Sequence, residues 1–145
     1  AVYPNDQVDN GSEVSDTFLT VGALEPKYGS NMVAGFSNYG KINVDVFAPG
    51  AKVYSSTPEN EYDTKGGTSM AAPAVAGVAA LIRSYYPTLT AAQVKRVLMD
   101  SGLAAQTKVV TGGDTNNVKP FGDLTKSGKM VNAYNALIMA SQMAK

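Results

Sequence analysis

The residues best placed to do chemistry are Gly66-Gly67-Thr68-Ser69, just ahead of Met70-Ala71-Ala72-Pro73 and a run without charge that lasts to Ile82. Alanine dominates that run, and alanine favours helix. Pro73 fits only a first turn, where its missing N–H has no partner to lose, so the helix starts within a few residues of Ser69. Pro87 stops it after Tyr86. A serine at such a start faces unpaired N–H groups and the positive end of the helix dipole. Those groups would stabilise the oxyanion formed if the Ser69 hydroxyl attacked a carbonyl. Two other readings fit the same position. Ser69 or Thr68 can act as an N-cap. The glycines and the helix start can also hold an anion such as phosphate, although no P-loop lysine follows them.

The residues that are missing constrain the chemistry. A serine hydrolase of the triad type needs a base for the hydroxyl proton, usually histidine, and the sequence contains no histidine. It contains no cysteine either, which excludes a disulfide framework and a thiolate zinc site. Asp6, Asp9, Glu13 and Asp16 leave room for a structural calcium. In an EF-hand frame counted back from Gly11, however, Val8 falls on a ligand position. The stretch carries no specific calcium motif and reads as a solvated acidic loop. Twelve basic and twelve acidic residues balance, and no basic run interleaves with aromatics, so nucleic acid is not an expected partner. The apolar run is shorter than the roughly 20 residues a membrane span needs. At 145 residues and 44% hydrophobic composition, the chain can bury a real core.

The elements that must position Ser69 follow from pattern. Thr17 to Leu24 is rich in β-formers and mostly apolar, as a strand covered on both faces would be. Val33 to Ser37, Val44 to Ala48 and Lys52 to Ser56 read as short strands, with Pro49-Gly50 stopping the second. Thr57 to Lys65 reads as a polar loop. The central helix, roughly 17 residues and about 25 Å long, is apolar all round and so must be covered on every side. Thr90 and Gln93 form a capping box for a second helix. That helix buries Val94, Val97 and Leu98, turns Lys95 and Arg96 outward, and ends at Gly102. Val109-Val110 pairs in a hairpin, Thr111 to Lys119 is a loop, and Asn132 caps a last helix with Ala133, Ala136, Leu137, Ala140 and Met143 at helical spacing.

Gly67-Thr68-Ser69-Met70-Ala71-Ala72-Pro73, with Val75-Ala76-Gly77 beyond, resembles the nucleophile segment of the subtilisin-like serine proteases. Phe18 to Leu24 is similar to the strand before that family's Phe-Ser-Asn-Tyr-Gly turn, here Phe36 to Gly40. Ala48-Pro49-Gly50 resembles its Ala-Pro-Gly turn, and Gly128 to Ala133 its closing segment. A common family version has a noncatalytic histidine where Ala74 stands.

The resemblance implies a three-layer α/β fold with a mostly parallel central sheet, of which residues 1–145 form the C-terminal part. It implies a serine endopeptidase with Ser69 as nucleophile and its backbone N–H as an oxyanion donor. Thr68 would support that loop, Gly66 and Gly67 would let the backbone pass close to substrate, and Lys65 would line the leaving-group side. Val2, Tyr3 and Pro4 would belong to the wall of the primary specificity pocket. In the family the triad runs Asp, His, Ser along the chain. Asp6, Asp9, Asp16 and Asp45 do not match its aspartate motif, so the aspartate, the histidine and the oxyanion asparagine are expected before residue 1. The chain alone is therefore expected to be inactive, with no cofactor required for the chemistry. Its expected partners are a polypeptide substrate, the upstream half of the catalytic domain and, through apolar surface left bare, a second copy of itself. The implied location is secreted or cell envelope. The rival reading is a catalytically dead subtilase-like binding or structural module.

Overall fold

A computed structural model describes residues 11–145; Val2, Tyr3, Pro4, Asp6 and Asp9 lie outside the described residues. In chain order the elements are β1 (Val21–Leu24), β2 (Val46–Pro49), β3 (Val53–Thr57), β4 (Glu61–Lys65), α1 (Thr68–Tyr85), α2 (Ala91–Asp100), β5 (Leu103–Ala104), β6 (Lys108–Thr111), β7 (Asp114–Pro120), β8 (Lys129–Met130) and α3 (Ala133–Met143). The central sheet has the order β1-β2-β8-β5. Its first three strands are parallel, with Val21 opposite Val46 and Phe47 opposite Met130, and β5 joins antiparallel. This is the α/β architecture with a mostly parallel sheet that the sequence implied.

Strand alternation divides the core in two. Ala23, Val46 and Ala48 face Ala71, Val75 and Ile82 of α1, Val97 and Leu98 of α2, and Ala136 and Ala140 of α3. Leu24 and Phe47 point the other way, against Val33, Val109, Phe121 and Leu124. Phe47 and Phe121 meet with ring centroids 5.4 Å apart. Both rings are fully buried, worth about 1.5–3 kcal/mol each in apolar transfer. The run around β1 is mostly apolar because both faces are covered.

The central helix has 18 residues, and Pro73 is the sixth of them, inside the helix and past the first turn in which the sequence reading placed it. Contrary to the expectation of all-round cover, Ala72, Pro73, Ala74, Ala76, Gly77 and Ala80 are exposed among the described residues. A groove of about 410 Å³ runs beside this face, walled by Leu19, Val21, Val75, Ala76, Ala79 and Val94. The outer edge of β1 is partly covered. Ala23 donates its N–H to Ser37 Oγ at 2.8 Å and accepts from Ala34 N–H at 3.0 Å, so the 32–37 segment closes part of that edge. Val33 makes a single bridge to Leu24 where a strand was expected.

Two polar stretches read as loops are strands. Glu61–Lys65 pairs with β3 over a full ladder, and Asp114–Pro120 pairs with β6. The capping box at Thr90 and Gln93 and the Asn132 cap form as expected. Ser101, not Gly102, is the C-cap of α2. Gly102 is needed for space, because a Cβ there would lie 2.5 Å from the Met130 carbonyl oxygen.

Lys95 is the main correction to the surface reading of α2. It is buried, with Nζ 3.4 Å from Glu13 Oε2 and 3.8 Å from Asp45 Oδ2. Asp45, itself 2% exposed, accepts from the Thr20 N–H at 2.8 Å and the Thr20 hydroxyl at 3.1 Å. Glu13 also takes Lys126 at 2.7 Å, so it is not a solvated acid. The network ties the segment before β1 to α2 and to the turn before β8.

The junction between sheet and helix is at Gly50. Its N–H donates to Leu24 at 3.1 Å, and its carbonyl accepts from Gly67 at 2.8 Å. A Cβ at Gly50 would stand 2.7 Å from Ala23 Cβ, 2.9 Å from the Gly67 oxygen and 3.0 Å from Ala71 Cβ. Gly50→Ala is therefore expected to cost about 1–3 kcal/mol, the range for overpacking, read as a fall in urea midpoint. Gly66→Ala serves as the control, since its Cβ would have no neighbour nearer than 3.8 Å.

Lys95→Met strands the Asp45 carboxylate in the interior. It should cost about 3–5 kcal/mol, with Asp45→Asn recovering part of the loss in the double variant. Equal midpoints for Lys95→Met and the double variant would refute that coupling. The two acids also respond oppositely to pH. Burial pushes the Asp45 carboxyl above its ordinary value, and the Thr20 bonds and Lys95 only partly offset this. Its contribution to stability is greatest below the ordinary carboxylate range and falls as pH rises to the raised value. Burial also pushes Glu13 up, but the Lys126 hydrogen bond and the charges of Lys95 and Lys126 outweigh it, leaving it below its ordinary value. The Glu13 contribution is present above the ordinary range and is lost as pH falls through the lowered value. Asp45→Asn should flatten the upper limb of stability against pH, and Glu13→Gln the lower.

Candidate active site

Parallel α/β sheets present their ligand sites at the carboxyl ends of the strands. Here β1 ends at Leu24 and β2 at Pro49, and Leu24 binds the N–H groups of Gly50 and Ala51. From Gly50 one hydrogen bond leads to Gly67, and the Gly67 carbonyl accepts from Met70 N–H at 2.9 Å. Ser69 therefore stands in the first turn of α1, above the carboxyl edge of the sheet.

Its environment separates the readings left open by sequence. The N-cap position is Gly67, with no side-chain cap. Neither Thr68 nor Ser69 uses its hydroxyl as a cap. Ser69 is exposed, and its hydroxyl has no hydrogen-bond partner among the described residues. Thr68 and Met70 flank it half-buried. The first N–H groups of a helix have no intrahelical acceptor, so the exposed hydroxyl sits beside donors suited to a developing oxyanion.

Lys65 and Gly66 are exposed and Gly67 is half-buried on the approach to Ser69. Lys65 is bound by Asp63 at 2.6 Å. The Lys65 hydrogen bond, the Thr64 N–H and the lysine charge hold the Asp63 carboxyl below its usual value. With its charge engaged there, Lys65 gives little support to a phosphate site at the helix mouth. Asp45 is committed to Thr20 and Lys95. Glu13 faces two ammonium groups, surroundings that repel a cation. No side chain among the described residues offers an imidazole base.

Sequence reasoning missed two residues that shape the site. Gly50 was read as a strand stop and as part of a family turn, but not as the contact that fixes the start of α1. Asp63 was assigned to a loop, and only the strand conformation of Glu61–Lys65 shows why it sits on the same face as Lys65, two residues on.

The comparisons agree with this geometry. The profile of the subtilase family matches residues 4–128. Subtilisin DY of Bacillus licheniformis is 48% identical over 83 residues, 57% of this chain and 29% of that protein. Subtilisin-like protease 1 of Plasmodium berghei (strain Anka) is 38% identical over 102 residues, covering 68% of this chain and 17% of that protein. Among solved structures, the A-subunit of the AB5 toxin from E. coli superposes with a TM-score of 0.67 at 26% identity, over 88% of this chain and 38% of that one. The chain thus spans well under half the length of each of these relatives. With the family profile covering most of its residues, and its helix, sheet edge and serine turn arranged as described, the chain belongs to the subtilase family.

Proposed function

We propose that Ser69 is the nucleophile of a serine endopeptidase whose base lies outside these 145 residues. The observation that carries this reading is the exposed, uncapped Ser69 hydroxyl in the first turn of α1, within a chain of the subtilase family. In the assembled site a histidine from the preceding part of the domain takes the Ser69 proton as Oγ attacks the scissile carbonyl. A partner aspartate orients the imidazole. The Ser69 N–H and an upstream asparagine receive the oxyanion. The protonated imidazole then donates to the leaving amine, and water releases the acyl group from Ser69 by the reverse sequence.

The remaining assignments follow the family's pattern. Thr68 supports the turn, Gly66 and Gly67 admit the substrate backbone, and Lys65 lines the leaving-group side with its charge partly masked by Asp63. The family's pattern assigns Val2, Tyr3 and Pro4 to substrate binding at the primary pocket. The apolar groove beside α1 seats the upstream half, or a second copy when that half is missing. The chemistry needs no metal, and the family assignment supports a secreted or cell-envelope location. Because the sequence has no histidine, the rival is a subtilase-like module without catalysis.

A fluorophosphonate probe distinguishes the two, since it reacts rapidly only with a base-activated serine. The chain alone is expected to show no labelling above a Ser69→Ala control. The protein containing the preceding residues is expected to label at Ser69 and to cleave unfolded protein. Rapid labelling of the chain alone would refute the need for an outside base. No labelling of the longer protein would favour the module.

A further inference from the structure

We propose that the β3–β4 hairpin is a hinged flap beside the mouth of α1, moving as one piece about the Gly50–Gly67 hydrogen bond. All five residues of β4 are exposed, as are the middle three of β3, and the two strands pack chiefly on each other. An isolated two-stranded hairpin is marginal in water, yet this one carries a cross-strand aromatic fastening on one face. Tyr54 of β3 and Tyr62 of β4 stack at 5.7 Å across the strands, while Asp63 and Lys65 pair along β4 itself. The ladder runs unbroken from Val53–Lys65 to Thr57–Glu61. A unit stiff inside and free outside moves at its ends.

Those ends are suited to movement. On one side is Lys52, a non-glycine residue held at φ 54°, in the sparsely populated left-handed region. On the other are Gly66 and Gly67, whose backbone is the least restricted of any residue. The Gly67 N–H to Gly50 carbonyl bond at 2.8 Å draws the two ends together into a single pivot. Because β4 runs directly into Gly66-Gly67-Thr68-Ser69, a swing of the hairpin changes access to the helix mouth. That consequence for peptide entry rests on the reading of Ser69 as nucleophile; the motion does not.

The test uses the full chain, whose lack of cysteine allows clean labelling. Spin labels at Glu61→Cys on the hairpin and Ala80→Cys on α1 report their separation by double electron–electron resonance. We expect a broad or two-peaked distribution that narrows when Gly66→Ala stiffens the pivot. A single narrow distribution, unchanged by Gly66→Ala, would overturn the proposal. Hydrogen exchange on the unlabelled chain covers the case in which the double variant fails to fold. The ladder amides and the Gly67 amide that forms the pivot should stay protected while the Lys52 amide at the end of the hairpin exchanges faster, slowing about two- to five-fold in Gly66→Ala. Loss of ladder protection would make the segment an unfolded loop and overturn the flap, as would equal exchange at the ladder and at Lys52. If the hinge moves but Ser69 does not label with fluorophosphonate in the longer protein, the flap stands and the nucleophile reading fails.

Discussion

The hydrogen bond from Gly67 to the Gly50 carbonyl is the constraint on which the rest of the structure depends. It fixes the start of α1 against the carboxyl ends of β1 and β2, where a parallel sheet presents its functional edge. Gly50 can make the contact only because it lacks a Cβ; Ala23, Ala71 and the Gly67 carbonyl fill the space one would occupy. From this junction Ser69 points to solvent and α1 runs back over the sheet. The β3–β4 hairpin hangs from the same two residues.

The packing explains why a serine at this place is held firmly. Ala71 and Val75 lie on Ala23 and Ala48, and Ile82 reaches the same core. The small side chains let helix and sheet approach closely, at the cost of an alanine-rich outer face that these residues leave uncovered. Away from the site, the Glu13–Lys95–Asp45 network joins the segment before β1 to α2 through buried charge. Such pairs specify an arrangement more than they stabilise it, and this one sets the lead-in to β1, the strand that carries α1.

Much of this was legible in the residues. Pro87 and the alanine run located α1 to within a few residues, although Pro73 falls beyond its first turn, and Thr90, Gln93 and Asn132 announced their helices through capping chemistry that is local in sequence. Val109-Val110 does pair in a hairpin as expected, but the return strands of both hairpins were harder. Glu61–Lys65 and Asp114–Pro120 are polar and exposed along most of their length, so no apolar alternation marked them, and their pairing depends on the partner strand. Lys95 was misread because its partners Glu13 and Asp45 are distant in the chain. The available signal was Asp45 itself, a carboxylate between Val44 and Val46 in an apolar strand, which had to find a cation or a donor. All-round cover of α1 was expected from its apolar run, but the described residues leave Ala72, Pro73, Ala74, Ala76, Gly77 and Ala80 exposed.

The central claim is that Ser69 supplies the nucleophile and depends on an imidazole from elsewhere in the protein. The most direct measurement is the pH dependence of Ser69 acylation by an ester substrate, followed by intact mass, in the protein that includes the preceding residues. The account predicts an acyl adduct on Ser69 whose formation rate rises through a single ionisation near the histidine range, about 6.5. Acylation at another residue, or a rate on Ser69 that shows no ionisation in that range, would contradict it.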